Sequence, residues 1–528
     1  MLEDRLSFYK KINGGELLAL AFLVIVTAGA YSNTLNNSFH FDDQTVIWDN
    51  PHIFMREITL ENLYKAAFDN IHPTRPVPYL TFALNYYLHE LNLPGYHVTN
   101  IFIHIATGIF LYFLIKATLS LPSLNYKLDK QGPVVISCIV AAVWLLHPLQ
   151  TQSVTYIVQR MNALSAMFYI LAMLLYVKGR LTTETKNKRF LYGGCLLSSI
   201  LALGSKEIAA TLPIFIFLYE WYFLQDLRTI RLANRRQLFL LILVILIFVA
   251  MAFFYFGGNP IKRIINGYSL REFTLLERLF TETRVVLMYI SLIFFPHPYR
   301  LNLEHDFPIS YSPVAPPSTL LAIVVLTGMA LAAVLIAKKQ RLYSFCIIWF
   351  LGNLVIESSF VPVELVFEHR TYLPSTFILL LAVVPFYSLL LKNRKLFYTI
   401  CTIILVTLTI LTYERNKIWQ DNRTLYLDCL KKSPNKYRVH YNLAHEYERL
   451  FEMDKAIQHY RIAIDSKPNN INSIRARKRV ATILAQKGRY QEAIIEMSIV
   501  LSKDSGDSDA LIKLQDYQHY RRQQLQRR

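Results

Sequence analysis

The sequence predicts an all-α membrane protein, with a polytopic helical domain followed by a small helical repeat domain. Three observations carry this. Apolar residues make up 53% of the 528-residue chain and charged residues only 18%, a departure from soluble composition in the membrane direction. Several apolar runs approach or exceed about 18 residues, enough to cross a hydrocarbon core of about 30 Å at about 1.5 Å per residue. After Tyr413 the composition turns abruptly charged and helical, with 23 basic against 14 acidic residues in 414–528. The predicted boundary therefore divides a membrane domain, 1–413, from a repeat domain, 414–528.

The apolar segments lie at about 15–35, 96–116, 133–148, 161–178, 190–204, 207–225, 237–256, 284–297, 318–337, 342–362, 372–391 and 396–413. Basic loops set their orientation. Lys178 to Arg189 holds five Lys or Arg, Arg228 to Arg236 four, and Lys338 to Arg341 and Lys392 to Lys395 three each, so these loops are expected in the cytoplasm. Counting from both ends puts the two flanks of 284–297 on one side. With its polar lead-in and terminal Pro-His-Pro, that segment is expected not to cross, leaving about eleven spans. The first run, Leu17 to Leu35, is too long for a signal-peptide core and lacks a clear cleavage pattern. The net charge of +19 is spread over short loops, which encodes topology and argues against nucleic acid. The five cysteines have no paired spacing and imply neither a metal site nor a disulfide framework.

The first outer loop, Asn36 to Pro51, reads NNSFHFDDQTVIWDNP. Adjacent carboxylates point about 100° apart in a helix and to opposite faces in extended chain. Asp42 and Asp43 therefore divide labour: one is a base or a metal ligand, and the other orients groups or caps a helix. A plain N-cap pair opening a short helix at Gln44 fits the same residues. Ile58 to Phe68 resembles an interfacial helix, and the aromatics of 75–100 suit a membrane surface.

On the same predicted side lie Arg160 after the third span, Lys206-Glu207 between two apolar runs, and Glu364, Glu368, His369 and Arg370 between the tenth and eleventh. Ionisable groups at membrane depth are functional candidates unless solvated or paired. Arg160, Lys206 and Arg370 suit a bilayer-anchored phosphate; snorkelling to headgroups is the simpler alternative.

In the tail, Leu443, Ala444, Tyr447, Ala456, Tyr460, Ala463 and Pro468 fit the 34-residue tetratricopeptide pattern. A second copy carries Ala481, Leu484, Gly488, Ala493 and Val500, displaced by three extra residues around Asn470 to Ser473. Trp419 to Pro434 reads as the second helix of an earlier repeat. Arg475, Arg477, Lys478 and Arg479 are expected on a solvated face, with anionic headgroups as the alternative.

FHFDDQTVIWDNP, RPVPYLTFALNY, GYHVTNIFIHI, HPLQTQSVTYIVQR, SKE and EHRTYLPS, followed by the repeats, together resemble the transmembrane and tetratricopeptide-repeat-containing O-mannosyltransferases. These are GT-C glycosyltransferases that use polyprenyl-phosphate sugars. The resemblance implies transfer of a monosaccharide from such a lipid donor to a hydroxyl, such as Ser or Thr of a protein, with inversion. Asp42 and Asp43 match the paired acids, Lys206 and Glu207 the lysine-glutamate motif, and Arg370 and Tyr372 the arginine-tyrosine-leucine-proline motif. The chain departs from the family at Gln150 and Gln152, where histidine and glutamate are common, and at Gln159.

The resulting expectation has Asp42 and Asp43 as catalytic residues, with Asp42 favoured as the base. Arg160, Lys206 and Arg370 hold the donor phosphate, and Arg75, His97, His147, Glu207, Glu368, His369 and Tyr372 are substrate-contact candidates. Whether a divalent metal joins Asp42 or Asp43 stays open, because no ligand spacing shows it. Expected partners are the lipid-linked donor, membrane lipids and a protein acceptor held by the repeats, with no nucleic acid. The site and repeats are expected to face the periplasm, or the endoplasmic reticulum lumen. A flippase of lipid-linked sugars would place charges near the midplane of two corresponding halves. A membrane-anchored scaffold would need a single span.

Overall fold

The computed structural model describes residues 14–124, 128–225, 259–468 and 471–527. The predicted segment at 237–256 and the basic loop Arg228 to Arg236 lie outside the described residues. The regular structure among the described residues is all helical, with one isolated bridge between Ser312 and Ala315. Contacts divide the chain into two units: Met1–Leu301 with Phe307–Lys417, and Asn302–Asp306 with Ile418–Arg528.

In the first unit, α1 (Gly14–Ala30), α2 (Leu60–Phe68), α3 (Pro76–His89), α4 (Leu93–Leu119), α5 (Gly132–Leu145), α6 (Arg160–Leu181), α7 (Thr185–Leu203) and α8 (Leu212–Tyr219) precede α9 (Pro260–Gly267). Then come α10 (Leu275–Phe294), α11 (Pro317–Ile336), α12 (Arg341–Leu354), α13 (Leu380–Leu389) and α14 (Arg394–Lys417). Among the described residues six helical stretches are long and apolar enough to cross a membrane: Gly14–Thr34, Leu93–Leu119, Ile157–Leu181, Glu207–Leu224, Pro317–Ile336 and Arg394–Lys417. Gly132–Leu145 with Pro148–Val154 makes a seventh if its 52° bend is counted as one span. Arg341–Leu354 and Ser375–Leu389 are apolar but shorter.

Helix α10 begins earlier than the apolar run that marked it. Thr274 and Glu277 close a capping box, each side chain bonding the other's backbone N–H, which satisfies two orphan donors of the first turn. The helix then buries Arg278 and Glu282 before its apolar part starts.

Helix α6 packs between α4 and α7, and the core around it is aromatic. Trp349 meets Phe215 edge-on and Phe377 at a tilt, at 4.9 and 4.6 Å between ring centroids, geometry that adds to simple area burial. Lipid tails are as apolar as the side chains they would replace, so close packing and small residues matter more here than in water. A Cβ at Gly108 would meet Leu145 at 2.5 Å, so the absence of a side chain lets α4 and α5 approach.

In the second unit, α15 (Asn422–Lys432), α16 (Tyr437–Arg449), α17 (Met453–Ser466), α18 (Ile471–Gln486), α19 (Tyr490–Lys503) and α20 (Ser508–Gln526) stack as successive antiparallel neighbours. Leu443, Ala444, Tyr447, Ala456, Tyr460 and Ala463 are all buried, because the small residues let paired helices close on the large ones. Ala481, Leu484, Ala493 and Val500 repeat this in the next pair. Gly488 turns between them at φ +72°, a conformation that suits a residue without Cβ. The basic cluster is more paired than expected: Arg477 bonds Glu496 at 2.7 Å, Lys478 bonds Asp507 and Asp509 at 2.9 and 2.7 Å, and Arg479 faces Glu448 at 3.4 Å. Of the displaced stretch, residues 469 and 470 lie outside the described residues.

Candidate active site

The loop after α1 separates the two aspartates. Phe41 adopts φ +46°, which is uncommon for a bulky side chain and strained. Beyond this bend Asp43 turns inward and is fully buried. Its Oδ2 accepts the His40 N–H at 2.9 Å and its Oδ1 accepts the Val158 N–H at 2.7 Å. Burial pushes its carboxyl up to about 8 against those two backbone donors. The cap reading does not hold, since Asp43 precedes a five-residue π-helical turn, Gln44–Trp48, but makes no side-chain cap to it. Asp42 is exposed, and its backbone N–H donates to the Tyr156 hydroxyl at 2.8 Å. The adjacent acids thus differ: Asp43 ties the loop down from inside, and Asp42 lies at the surface.

The loop is anchored elsewhere too. His97 is buried and donates from Nε2 to the Asn37 carbonyl at 2.9 Å. Asn37 in turn donates to the Asn416 carbonyl of α14 at 3.2 Å. His97 therefore positions the loop through Nε2, while its buried Nδ1 has no hydrogen-bond partner among the described residues.

Residues 156–162 form the strut on which the site is built. Tyr156 holds Asp42, Val158 holds Asp43, and Asn162 reaches the other cluster of candidate residues. Six residues of 3₁₀ and α backbone rise only about 9–12 Å, so the two clusters are held close by one short piece of chain.

Arg160, in the middle of this strut, corrects an expectation. It is fully buried. Its Nε donates to Asn100 Oδ1 at 2.7 Å, Nη1 to Asn85 Oδ1 at 2.6 Å and Thr81 Oγ1 at 3.3 Å, and Nη2 to the Tyr96 carbonyl at 3.0 Å. Phe82 lies 4.6 Å beneath the guanidinium. This arginine staples α3 and α4 to α6 and is not placed to meet a phosphate. Replacing it by Met strips the Asn85 and Asn100 oxygens of their donor, at about 1–3 kcal/mol each. We expect a matching drop in thermal unfolding temperature for Arg160→Met in detergent, with Arg160→Lys intermediate; unchanged stability in both would refute the stapling role.

Lys206 and Arg370 sit in a network of ion pairs and hydrogen bonds. Lys206 is buried, with Nζ 2.9 Å from Glu357 Oε1 and 3.1 Å from Asn162 Oδ1. Burial pulls its pKa down, and Glu357 partly offsets this. Burial acts to raise Glu357, but Lys206 and Arg370 hold it below its ordinary value. Arg370 bonds the Leu365 and Glu364 carbonyls, lies 3.9 Å from Glu282, and its buried Nε has no partner among the described residues. Arg278 pairs with Glu282 at 2.8 Å and gives its other donors to the carbonyls of Glu357, Ser359 and Val363. Burial raises Glu282 to about 7, with Arg278 and Arg370 opposing. Arg75 clamps Glu207 in a two-pronged contact, Nε to Oε1 at 3.0 Å and Nη2 to Oε2 at 2.8 Å. Lys206, Arg75, Arg278 and Arg370 thus lie among the carboxylates of Glu357, Glu207 and Glu282, with buried Glu368 in the turn beside Arg370.

The remaining expected residues divide. His369 is buried; its N–H and Nδ1 meet Gln152 Oε1 at 2.8 and 3.1 Å, and its carbonyl accepts from Asn162 Nδ2 at 2.8 Å. It therefore belongs to the Lys206 cluster. Glu368 is buried beside it in the same 3₁₀ turn, Glu368–Thr371. Tyr372 and His147 are corrections. The Tyr372 hydroxyl bonds His104 Nδ1 at 2.8 Å, and its ring meets Trp144 at 4.7 Å, so it is a core residue. His147 accepts the Leu149 N–H as a helix cap and bonds the Ile293 carbonyl from Nε2 at 2.9 Å, leaving neither nitrogen for a substrate.

Sequence reasoning missed Glu357 and Asn162 and underweighted Arg278 and Glu282. Glu357 interrupts the predicted 342–362 run, and Arg278 and Glu282 are spaced i,i+4 in the polar lead-in to α10; both were readable signals. Asn162 carries none. The residues present do not fit a divalent metal: among the described residues no three His, Cys, Asp or Glu converge, and both Asp43 oxygens are committed to backbone N–H groups.

Comparison with known proteins follows the motifs. The chain is 26% identical over 451 residues to protein O-mannosyl-transferase F38B6.6 of Caenorhabditis elegans, covering 80% of this chain and 59% of that protein. It is 24% identical over 537 residues to protein O-mannosyl-transferase TMTC3 of Mus musculus, covering 92% and 54%. Over 204 residues it is 32% identical to protein O-mannosyl-transferase Tmtc1 of Drosophila melanogaster, covering 37% and 21%. The chain thus spans little more than half the length of the first two relatives. A tetratricopeptide repeat profile matches residues 437–470. No solved structure matches. These relatives carry the names that the sequence motifs resemble.

Proposed function

We propose that this chain is a membrane glycosyltransferase that moves a monosaccharide, mannose in the first instance, from a polyprenyl-phosphate donor to a Ser or Thr hydroxyl of a protein. The observation that carries the reading is the presence of one exposed carboxylate, Asp42, and a buried cluster holding Lys206 and Arg370, both fixed to the strut 156–162.

In this reading the donor phosphate lies against Lys206 and Arg370, with Arg75 flanking. Asp42 takes the acceptor hydroxyl proton. The acceptor oxygen forms its bond to the anomeric carbon as the bond from that carbon to the phosphate oxygen breaks, and the polyprenyl phosphate leaves with the electron pair. Charge grows on that leaving group in the transition state, and buried cations stabilise it more there than in water. One carboxylate suffices for a single inverting displacement, which fits the commitment of Asp43 to the backbone. The site faces the outer side of the membrane, periplasm or lumen, and the stacked helix pairs of the second unit offer a groove for the acceptor polypeptide.

The test is direct. The purified protein is incubated with polyprenyl-phosphate mannose, glucose and galactose and with Ser/Thr-containing acceptor peptides. We expect transfer from one of these donors and none from nucleotide sugars; transfer from a nucleotide sugar with no lipid donor accepted would remove the phosphate-seat argument.

A further inference from the structure

Resting on the lipid-linked donor just proposed, we infer that His369 is the specificity-determining residue for the transferred sugar: its Nε2 lone pair receives a sugar hydroxyl, and Gln152 is the positioning residue that fixes it for this.

The tautomer follows from hydrogen-bond logic. The backbone N–H of His369 can only donate, and it meets Gln152 at 2.8 Å, so the facing atom is the amide oxygen. The same oxygen meets His369 Nδ1 at 3.1 Å. An amide oxygen accepts and does not donate, so Nδ1 carries the ring proton and the neutral ring keeps its lone pair on Nε2. Among the described residues no hydrogen bond engages Nε2. Burial, then Lys206, Arg370 and Arg75, hold the imidazole well below its ordinary pKa, so it stays an acceptor.

Its place suits a sugar one bond from the phosphate. Asn162 joins the His369 carbonyl to Lys206 Nζ, at 2.8 and 3.1 Å, and Arg370 is the next residue. The ring is stacked on Phe367 at 5.1 Å and 22°, which fixes its plane. Gln152 Nε2 is buried without a partner among the described residues. Gln152 Oε1 holds the ring through Nδ1, and the Nε2 lone pair on the other side of the ring is left to accept one hydroxyl proton.

The test measures binding of bare polyprenyl phosphate, of the polyprenyl-phosphate hexose the wild type uses, and of its monodeoxy analogues, with KM and kcat for the hexose. His369→Leu leaves both backbone contacts of residue 369 in place. It is expected to weaken hexose-donor binding about three- to tenfold, the loss of one hydrogen bond, to raise KM more than it lowers kcat, and to leave the bare lipid unaffected. The preference for hexose over one deoxy analogue should vanish, and His369→Gln, whose amide oxygen can accept, should restore most of it. Gln152→Glu would favour a second ring proton, turn Nε2 into a donor and lose the same preference. The inference is overturned if His369→Leu keeps the hexose preference, or if it loses bare-lipid binding in equal measure, which marks a structural role. A wild type that binds hexose donors but discriminates no deoxy analogue overturns it alone. A wild type that binds no polyprenyl phosphate overturns the donor reading, and this inference with it.

Discussion

Asp42→Asn is expected to lower sugar transfer about 10²–10⁴-fold, the range for loss of a positioned general base, while leaving thermal unfolding unchanged. The asparagine keeps the shape, and the backbone bonds of residue 42, its N–H to Tyr156 and its carbonyl from Val46, survive. Asp43→Asn makes the opposite prediction. Its single amide oxygen can serve either the His40 or the Val158 N–H, and its NH₂ must then face the other donor. That conflict is expected to remove about 1–3 kcal/mol of stability and to reduce transfer through loss of loop order. Paired thermal melts and initial rates separate the two residues. Equal rates in wild type and Asp42→Asn would end the assignment of Asp42 as the base.

Lys206→Met carries the second large effect, and it falls on both stability and transfer. Removing the ammonium leaves the half-buried Glu357 without its 2.9 Å partner, and stranding one member of a fully buried pair costs about 3–5 kcal/mol, which sets the upper bound here. The double variant Lys206→Met with Glu357→Gln is expected to recover most of that stability, because the stranded charge goes too. It should not recover transfer, because the cation facing the donor phosphate is still missing. If the double variant regains both, Lys206 serves only the fold and the phosphate seat lies elsewhere.

The sequence made much of this legible, and the reasons for its failures are physical. The repeat residues were readable because burial in a stacked helix pair demands small and large residues at fixed spacing, and Ala444, Ala456 and Ala463 occupy those places. The Asp42–Asp43 loop was readable from its company of aromatics and its position after the first apolar run. Whether a cation at a membrane end is free or satisfied was not readable. Arg160 and Lys206 looked alike in sequence, and only their partners distinguish them: neutral Asn85, Thr81 and Asn100 from α3 and α4 for Arg160, the Glu357 carboxylate and Asn162 for Lys206. Tyr372 and His147 failed for the same reason, since their partners Trp144, His104 and Ile293 come from distant segments. Spans were read as unbroken apolar runs, whereas the chain bends by 52° near His147 and interrupts the 372–391 run between a single turn and α13. Hydropathy alone does not see a bend.

The strut from Tyr156 to Asn162 acts as a ruler within the protein. One end gauges where Asp42 stands and the other where Lys206 and the His369 backbone stand, and Arg160 between them clamps the gauge to two neighbouring helices. Under the proposed roles, the spacing of Asp42 from Lys206 is set by seven consecutive residues through their hydrogen bonds to Asp42, Asp43 and Lys206. A one-residue insertion within the strut would rotate everything beyond it by about 100° and throw the two ends out of register.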